Sequence, residues 1–138
     1  MSTDKLMGYV SSNAAGLALC GVAAFARGMS YTPILVNQDR KAVHYLEMML
    51  PPAWWGTIWI AIGVLCVASV WCRKLAPLAA GLCVGIHASW GCSFMAVQIL
   101  DEGNSRAWVS AISYWLVCAL MIWGFSRRRP IRVEIVGR

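Results

Sequence analysis

Residues 53–100 read AWWGTIWIAIGVLCVASVWC, then RK, then LAPLAAGLCVGIHASWGCSFMAVQIL. Arg73 and Lys74 are the only charged residues in this stretch. A helix rises about 1.5 Å per residue, so about 20 apolar residues cross a hydrocarbon core of about 30 Å. Both halves reach that length, and the two cations between them leave room only for a tight antiparallel return. Pro77 belongs in the first turn of the second half, where its missing N–H costs nothing. Working outward, Leu6–Ala26 and Ala107–Phe125 are equally free of charge. The expected fold is therefore all-α: a single membrane domain over residues 1–138, an integral membrane four-helix transmembrane bundle with spans at about 6–26, 53–72, 75–100 and 107–125.

Composition agrees with a lipid environment. Hydrophobic residues make up 59% of the chain and charged residues 13%, against about 25% charged in soluble domains. The net charge of +6 does not point to nucleic acid, because the cations flank apolar spans instead of forming an aromatic-rich polar face. Lys5, Arg73, Lys74, Arg127, Arg128, Arg129, Arg132 and Arg138 fall on one side of a four-span topology; Arg27, Arg40, Lys41 and Arg106 fall on the other. The positive-inside rule then puts both termini in the cytoplasm. Ala24-Phe25-Ala26 has the small-x-small form of a cleavage site, but Asp4 offsets Lys5, and Ser11, Ser12 and Asn13 interrupt the apolar run. A retained helix is the expectation.

The loop from Arg27 to Pro52 is the longest polar interval. Thr32-Pro33 ends the first helix. Asp39 to Leu50 reads as a short amphipathic helix in this first outer loop, with Asp39 as N-cap. Ala42, Leu46, Met49 and Leu50 form its apolar side; Arg40, Lys41, His44 and Glu47 form its polar side. It either lies on the outer leaflet or packs on the bundle mouth. Trp54, Trp55, Trp71, Trp108 and Trp123 sit at span ends, the place of interface anchors. Trp59, Trp90 and Trp115 are deeper and read as packing or lipid-facing residues. The cluster Arg127, Arg128, Arg129 is suited to anionic lipid headgroups.

Chemistry has few places to reside. The four span cores hold no acid and no cation, which argues against proton-coupled pumps and acid-lined cation pores. His87 is the only imidazole in a span, and a hydrogen bond to a backbone carbonyl or hydroxyl accounts for it better than a haem or a metal. Cys20, Cys66, Cys72, Cys83, Cys92 and Cys118 lie in or beside spans without a Cys-x-x-Cys pair and read as packing residues. Asp101-Glu102 reads as a solvated turn. No catalytic, metal or cofactor site is expected, and no enzyme activity. Association is the better-marked property. Gly8, Ser12, Gly16, Cys20 and Ala24 form a four-spaced ridge of small residues; Gly81, Gly85, Ser89 and Ser93 form another. Such ridges either seal the bundle or face outward as contacts with a second copy. Asn13 and Gln98 are candidates for interhelical hydrogen bonds.

The plan as a whole, with several short-looped spans, small-residue faces, a basic tail and the Pro52-Ala53-Trp54-Trp55-Gly56-Thr57-Ile58-Trp59 run, resembles the small four-span membrane proteins of actinobacteriophages, some of which are holins. The resemblance is one of architecture, and no functional residue transfers with it. It implies a multi-pass protein of the bacterial cytoplasmic membrane that permeabilises the bilayer by homo-oligomerisation. The alternative is a non-enzymatic accessory or regulatory subunit, or a phage exclusion factor, that binds another membrane protein within a larger complex.

Overall fold

The computed structural model describes residues 13–35, 41–100 and 106–126. Among them all regular structure is helical: α1 (Asn13–Met29), α2 (Tyr45–Met48), α3 (Pro52–Ala68), a 3₁₀ turn (Arg73–Leu75), α4 (Ala76–Leu100) and α5 (Ala107–Ser126). Gly8, Ser12, Asp39, Arg40, the Asp101–Ser105 link and the basic tail with Arg127, Arg128 and Arg129 lie outside the described residues.

Length separates the helices into two kinds. α4 has 25 residues and α5 has 20, a rise of about 37 and 30 Å, and both are long and apolar enough to cross a bilayer. α1 and α3 have 17 described residues each, about 26 Å. α3 stops at Ala68, four residues short of the expected Cys72. Ser69 Oγ donates to the Cys66 carbonyl at 2.6 Å, and the amides of Val70 and Trp71 turn back onto Val67 and Ala68. A serine bonding its own preceding turn competes with helix continuation. α1 ends in the same way: Ser30 and Thr32 hydroxyls donate to the Arg27 and Met29 carbonyls, each at 2.7 Å, ahead of Pro33.

The bundle is built from two helix pairs, α1 with α3 and α4 with α5. α3 and α4, joined by residues 69–75, pack on each other much less. The reason lies in the glycines of the first pair. Gly21 and Gly28 of α1 meet Gly63 and Gly56 of α3 so closely that a Cβ on Gly28 would sit 2.7 Å from the Ile60 amide nitrogen and 2.8 Å from the Gly56 oxygen. A Cβ on Gly21 would sit 2.8 Å from the Gly63 oxygen. Small residues let helix backbones touch, which supplies dispersion and weak Cα–H···O contacts where lipid gives no hydrophobic drive.

Large apolar side chains lie on the outside of the bundle as well as in its core. α5 buries Ala107, Ala111, Cys118 and Met121 and exposes Trp108, Val109, Ile112, Trp115, Leu116, Val117, Leu120, Ile122 and Trp123. An apolar face of that kind suits a helix long enough to cross a bilayer. The core is aromatic and small: Trp59, Trp90, Cys66, Cys83, Ala79 and Ala111 are fully enclosed. Thiols bridge helices there. Cys66 Sγ donates to the Ala79 carbonyl at 3.6 Å and Cys118 Sγ to the Val84 carbonyl at 3.5 Å.

The first loop departs from the sequence reading. Among residues 41–50 the expected helix is the single turn α2, and the burial of its members differs from the reading. His44 and Glu47 are buried, whereas Val43, Tyr45, Met48, Met49 and Leu50 are exposed. Of the side read as apolar, Met49 and Leu50 point away from the bundle, whereas Ala42 and Leu46 are half-buried and Leu46 packs against the core. Of the side read as polar, His44 and Glu47 are tucked beneath the loop, whereas Lys41 is exposed.

Candidate functional site

The polar groups of the molecule gather at one end, where α1 finishes and α3 and α5 begin. Arg27 sits in the last turn of α1. Tyr31 follows in the turn after it, His44 and Glu47 come from the loop, Ser93 and Phe94 from α4, and Tyr114 from α5. Sequence spacing does not bring these segments together, because the loop must fold back before its residues reach α4.

Ser93 fastens that loop. Its Oγ accepts the Leu46 N–H at 2.8 Å and lies 2.9 Å from His44 Nδ1. Glu47 Oε2 accepts the Val43 N–H at 2.7 Å, closing the turn from within. The His44 ring is wedged among aromatics, 4.4 Å from the Phe94 centroid and 5.3 Å from that of Trp90. The Ser93–His44 contact resembles a nucleophile and its base only in composition. Ser93 already takes a backbone N–H and does not line the cavity at this end, so its role is to hold the loop.

Below the loop runs a file of rings. Trp55 meets Trp90 at 4.6 Å, Trp59 meets Trp90 at 5.2 Å and His87 at 4.9 Å, all edge to face. The buried Nε1 atoms of Trp55 and Trp59 have no hydrogen-bond partner among the described residues; edge-on packing lets an indole N–H face a neighbouring π cloud. His87 Nδ1 lies 2.7 Å from the Cys83 carbonyl oxygen. A carbonyl only accepts, so Nδ1 carries the hydrogen. Its Nε2 is then the basic nitrogen, within a shell of Trp59 and Tyr114 rings.

Arg27 is the charged member of greatest consequence. Its guanidinium carbon lies 5.3 Å from the Tyr114 ring centroid and 5.9 Å from that of Tyr31, within the range of cation–π attraction. Its Nε is buried without a hydrogen-bond partner among the described residues. Arg27, Ser30, Tyr31, Val43, His44, Glu47 and Phe94 line a cavity of about 300 Å³. Burial pushes the Tyr31 phenol above its ordinary value of 10.0; Arg27 draws it back in part, and Glu47 pushes it further up. The phenol is neutral at pH 7 and can donate.

The residues marked in the sequence are dispersed elsewhere. Gly16, Gly81 and Gly85 are exposed, and a Cβ on any of them would meet nothing within 4 Å. Ser89 is exposed and donates to the Gly85 carbonyl. Cys20 is half-buried, whereas Ala24 is enclosed. Four of the five boundary tryptophans, Trp54, Trp71, Trp108 and Trp123, are exposed. Trp55 is not an interface anchor: it is 8% exposed and packs on Trp90, because the α1 side of α3 turns inward at Gly56. Gln98 Oε1 is buried with no hydrogen-bond partner among the described residues. No group of three His, Cys, Asp or Glu side chains suited to a metal occurs among them.

The polar cluster was missed in the sequence because each member has an ordinary local explanation. Two signals were present. His44 and Glu47 are three apart, so they share a face on one helical turn, and Arg27 is the cation that closes the first apolar run. Comparison with protein-family models, curated proteins and solved structures finds no match.

Proposed function

We propose that this chain is a four-span integral membrane protein of the bacterial cytoplasmic membrane, with both termini cytoplasmic, that permeabilises the bilayer in a holin-like manner by homo-oligomerisation. The observation that supports the reading is the outer surface: large apolar side chains face outward, and on α4 an open face of Gly81, Gly85 and Ser89 lies beside the exposed ridge of α5. A groove of about 910 Å³ lies there, walled by Leu17, Ala80, Val84 and Ile122 with Gly81 and Gly85 at its base. Close helix approach in lipid needs such small-residue faces. Each protomer is sealed by Trp59 and Trp90 at its centre, so any aqueous lesion would form between copies. On this reading α1 and α3, each with 17 described residues and so at the short end of the spanning range of about 17–25 residues, also cross the bilayer.

The test is inducible expression in a bacterium with a membrane-potential dye. Sudden depolarisation with growth arrest, and a large homo-oligomer in mild detergent, support the proposal. An unchanged potential refutes it. A second reading, the accessory or regulatory subunit, draws on the polar cavity beneath the loop, a feature that lysis does not require. Unchanged potential together with stoichiometric co-purification of one membrane protein would establish that reading.

A further inference from the structure

The outer wall of the α1–α3 pair carries a groove. Val22 and Phe25 of α1 and Val64, Val67 and Ala68 of α3 line it, with Trp71 just past the end of α3, around a volume of about 410 Å³. The indole nitrogen of Trp71 is the only polar side-chain atom among these lining residues. α1 and α3 run antiparallel, Gly28 against Gly56 and Gly21 against Gly63. Trp71 therefore lies at the end of the bundle away from His44 and Glu47.

The walls suit a flexible chain better than another helix. Gly63, the lining glycine, is taken up by the seam: a Cβ there would sit 2.7 Å from the Phe25 amide nitrogen and 2.8 Å from the Gly21 oxygen. Branched and aromatic side chains form most of the remaining surface. Close helix approach in lipid needs a small-residue face; a hydrocarbon chain between side chains does not. The charge beside the groove points the same way. Arg73 and Lys74 follow Trp71, and both are exposed. Two residues span at most about 7 Å, so the Arg73 backbone stays at the Trp71 end. Glu47 is the one carboxylate among the described residues, and it belongs to the opposite end, so neither cation has an acidic partner among them. A second copy in the same bilayer would share this orientation and bring its own Arg73 and Lys74 to the same depth. A molecule with a hydrocarbon chain and a negative head complements both the groove and the cations.

We propose that this groove holds an anionic phospholipid of the cytoplasmic leaflet, with one acyl chain along Val22, Phe25, Val64 and Val67 and the phosphate at Arg73 and Lys74. Trp71 then stands at headgroup level, where an amphipathic ring is favoured. Guanidinium and ammonium groups form short, charge-assisted hydrogen bonds to phosphate, and the cytoplasmic leaflet is the anionic one. The inference rests on the membrane reading above, and it does not depend on whether the protein permeabilises.

The experiment uses the full chain in mild detergent. Phosphatidylglycerol and phosphatidylcholine with identical acyl chains are added in turn, and retention is read by native mass spectrometry and by the shift in Tm. A cation near an anionic lipid surface is worth about fivefold in affinity, so the expected preference for phosphatidylglycerol is about tenfold or more. The double variant Arg73→Gln, Lys74→Gln should bring the ratio close to one. Replacing Arg127, Arg128 and Arg129 by Gln should leave most of it. Val64→Trp, an apolar change at an exposed position, should fill the groove and lower retention of both lipids with Tm in lipid-free detergent unchanged. Equal retention of the two lipids by the wild-type chain overturns the inference, and needs no variant to fold. A preference that follows the tail arginines instead of Arg73 and Lys74 also overturns it. So does undiminished retention by Val64→Trp, or displacement of the lipid by an equal concentration of free glycerol phosphate, since either leaves a surface charge effect without a groove. A chain that stays monodisperse without detergent would instead overturn the membrane reading itself.

Discussion

Two sets of glycines share a residue type and have opposite fates. Gly21, Gly28, Gly56 and Gly63 lie in the seam between α1 and α3, where backbone meets backbone. Gly16, Gly81 and Gly85 look outward into open space. The outward set follows the four-residue spacing that marks helix-packing faces. The seam set follows a seven-residue spacing, Gly21 to Gly28 and Gly56 to Gly63, which keeps residues on one stripe over two turns. A small residue is thus evidence that a close contact is permitted. It does not say whether the contact is made within this chain or with another.

The comparison breaks first at the seam. Gly63→Val and Gly28→Val should each cost about 3 kcal/mol by overpacking, because the added Cβ alone would lie 2.7 Å from the Phe25 or Ile60 amide nitrogen. Thermal unfolding in detergent reads this directly. Gly56→Ala should be milder, since its nearest atoms stand at 3.2 Å. A Gly63→Val variant as stable as wild type would mean that the seam is not formed.

Ser93→Ala comes next. It removes the acceptor of the Leu46 N–H and the partner of His44, at about 1–3 kcal/mol for a stranded donor. Limited proteolysis should show faster cleavage within residues 41–50, with the helical circular dichroism nearly unchanged. Unaltered cleavage would separate Ser93 from loop fastening.

Gly81→Ala and Gly85→Ala should stabilise the protomer by about 0.5–1 kcal/mol, the ordinary gain of alanine over glycine in an open helix. Gly81→Leu should leave the protomer folded and reduce oligomer size together with depolarisation. A folded Gly81→Leu protein with full oligomer size removes this face from assembly.

The smallest effect concerns pH. The Tyr31 phenol has a folded value raised above 10.0 by burial, so the unfolded chain releases that proton first. Its stabilising contribution is complete below pH 10 and is lost as pH rises through the folded value. Tyr31→Phe should flatten the decline of stability in that alkaline window, measured by unfolding at fixed temperature.

Much of the fold was legible in the sequence. Charge-free runs set α4 and α5, because length and apolarity are local quantities. Ser69 ending α3 early was readable only in hindsight, since a serine near a helix end serves equally well inside or just past it. The burial of His44 and Glu47 in the loop was not legible. A segment with apolar residues on one side and polar on the other predicts which residues segregate, and not which side faces the bundle; that depends on whether lipid or protein covers each side. The same ambiguity hid the Arg27, His44 and Glu47 cluster, whose members are separated by about twenty residues and by a loop.

The sequence by itself determined that this chain is helical and oily, with two helices able to span a bilayer, because hydropathy and helical rise act over a single segment. The tertiary structure decided which glycines carry contact, that Trp55 is enclosed, and that a cation, a carboxylate and an imidazole share one cavity. Those outcomes depend on which helix faces which, and facing is set by packing between segments far apart in the chain.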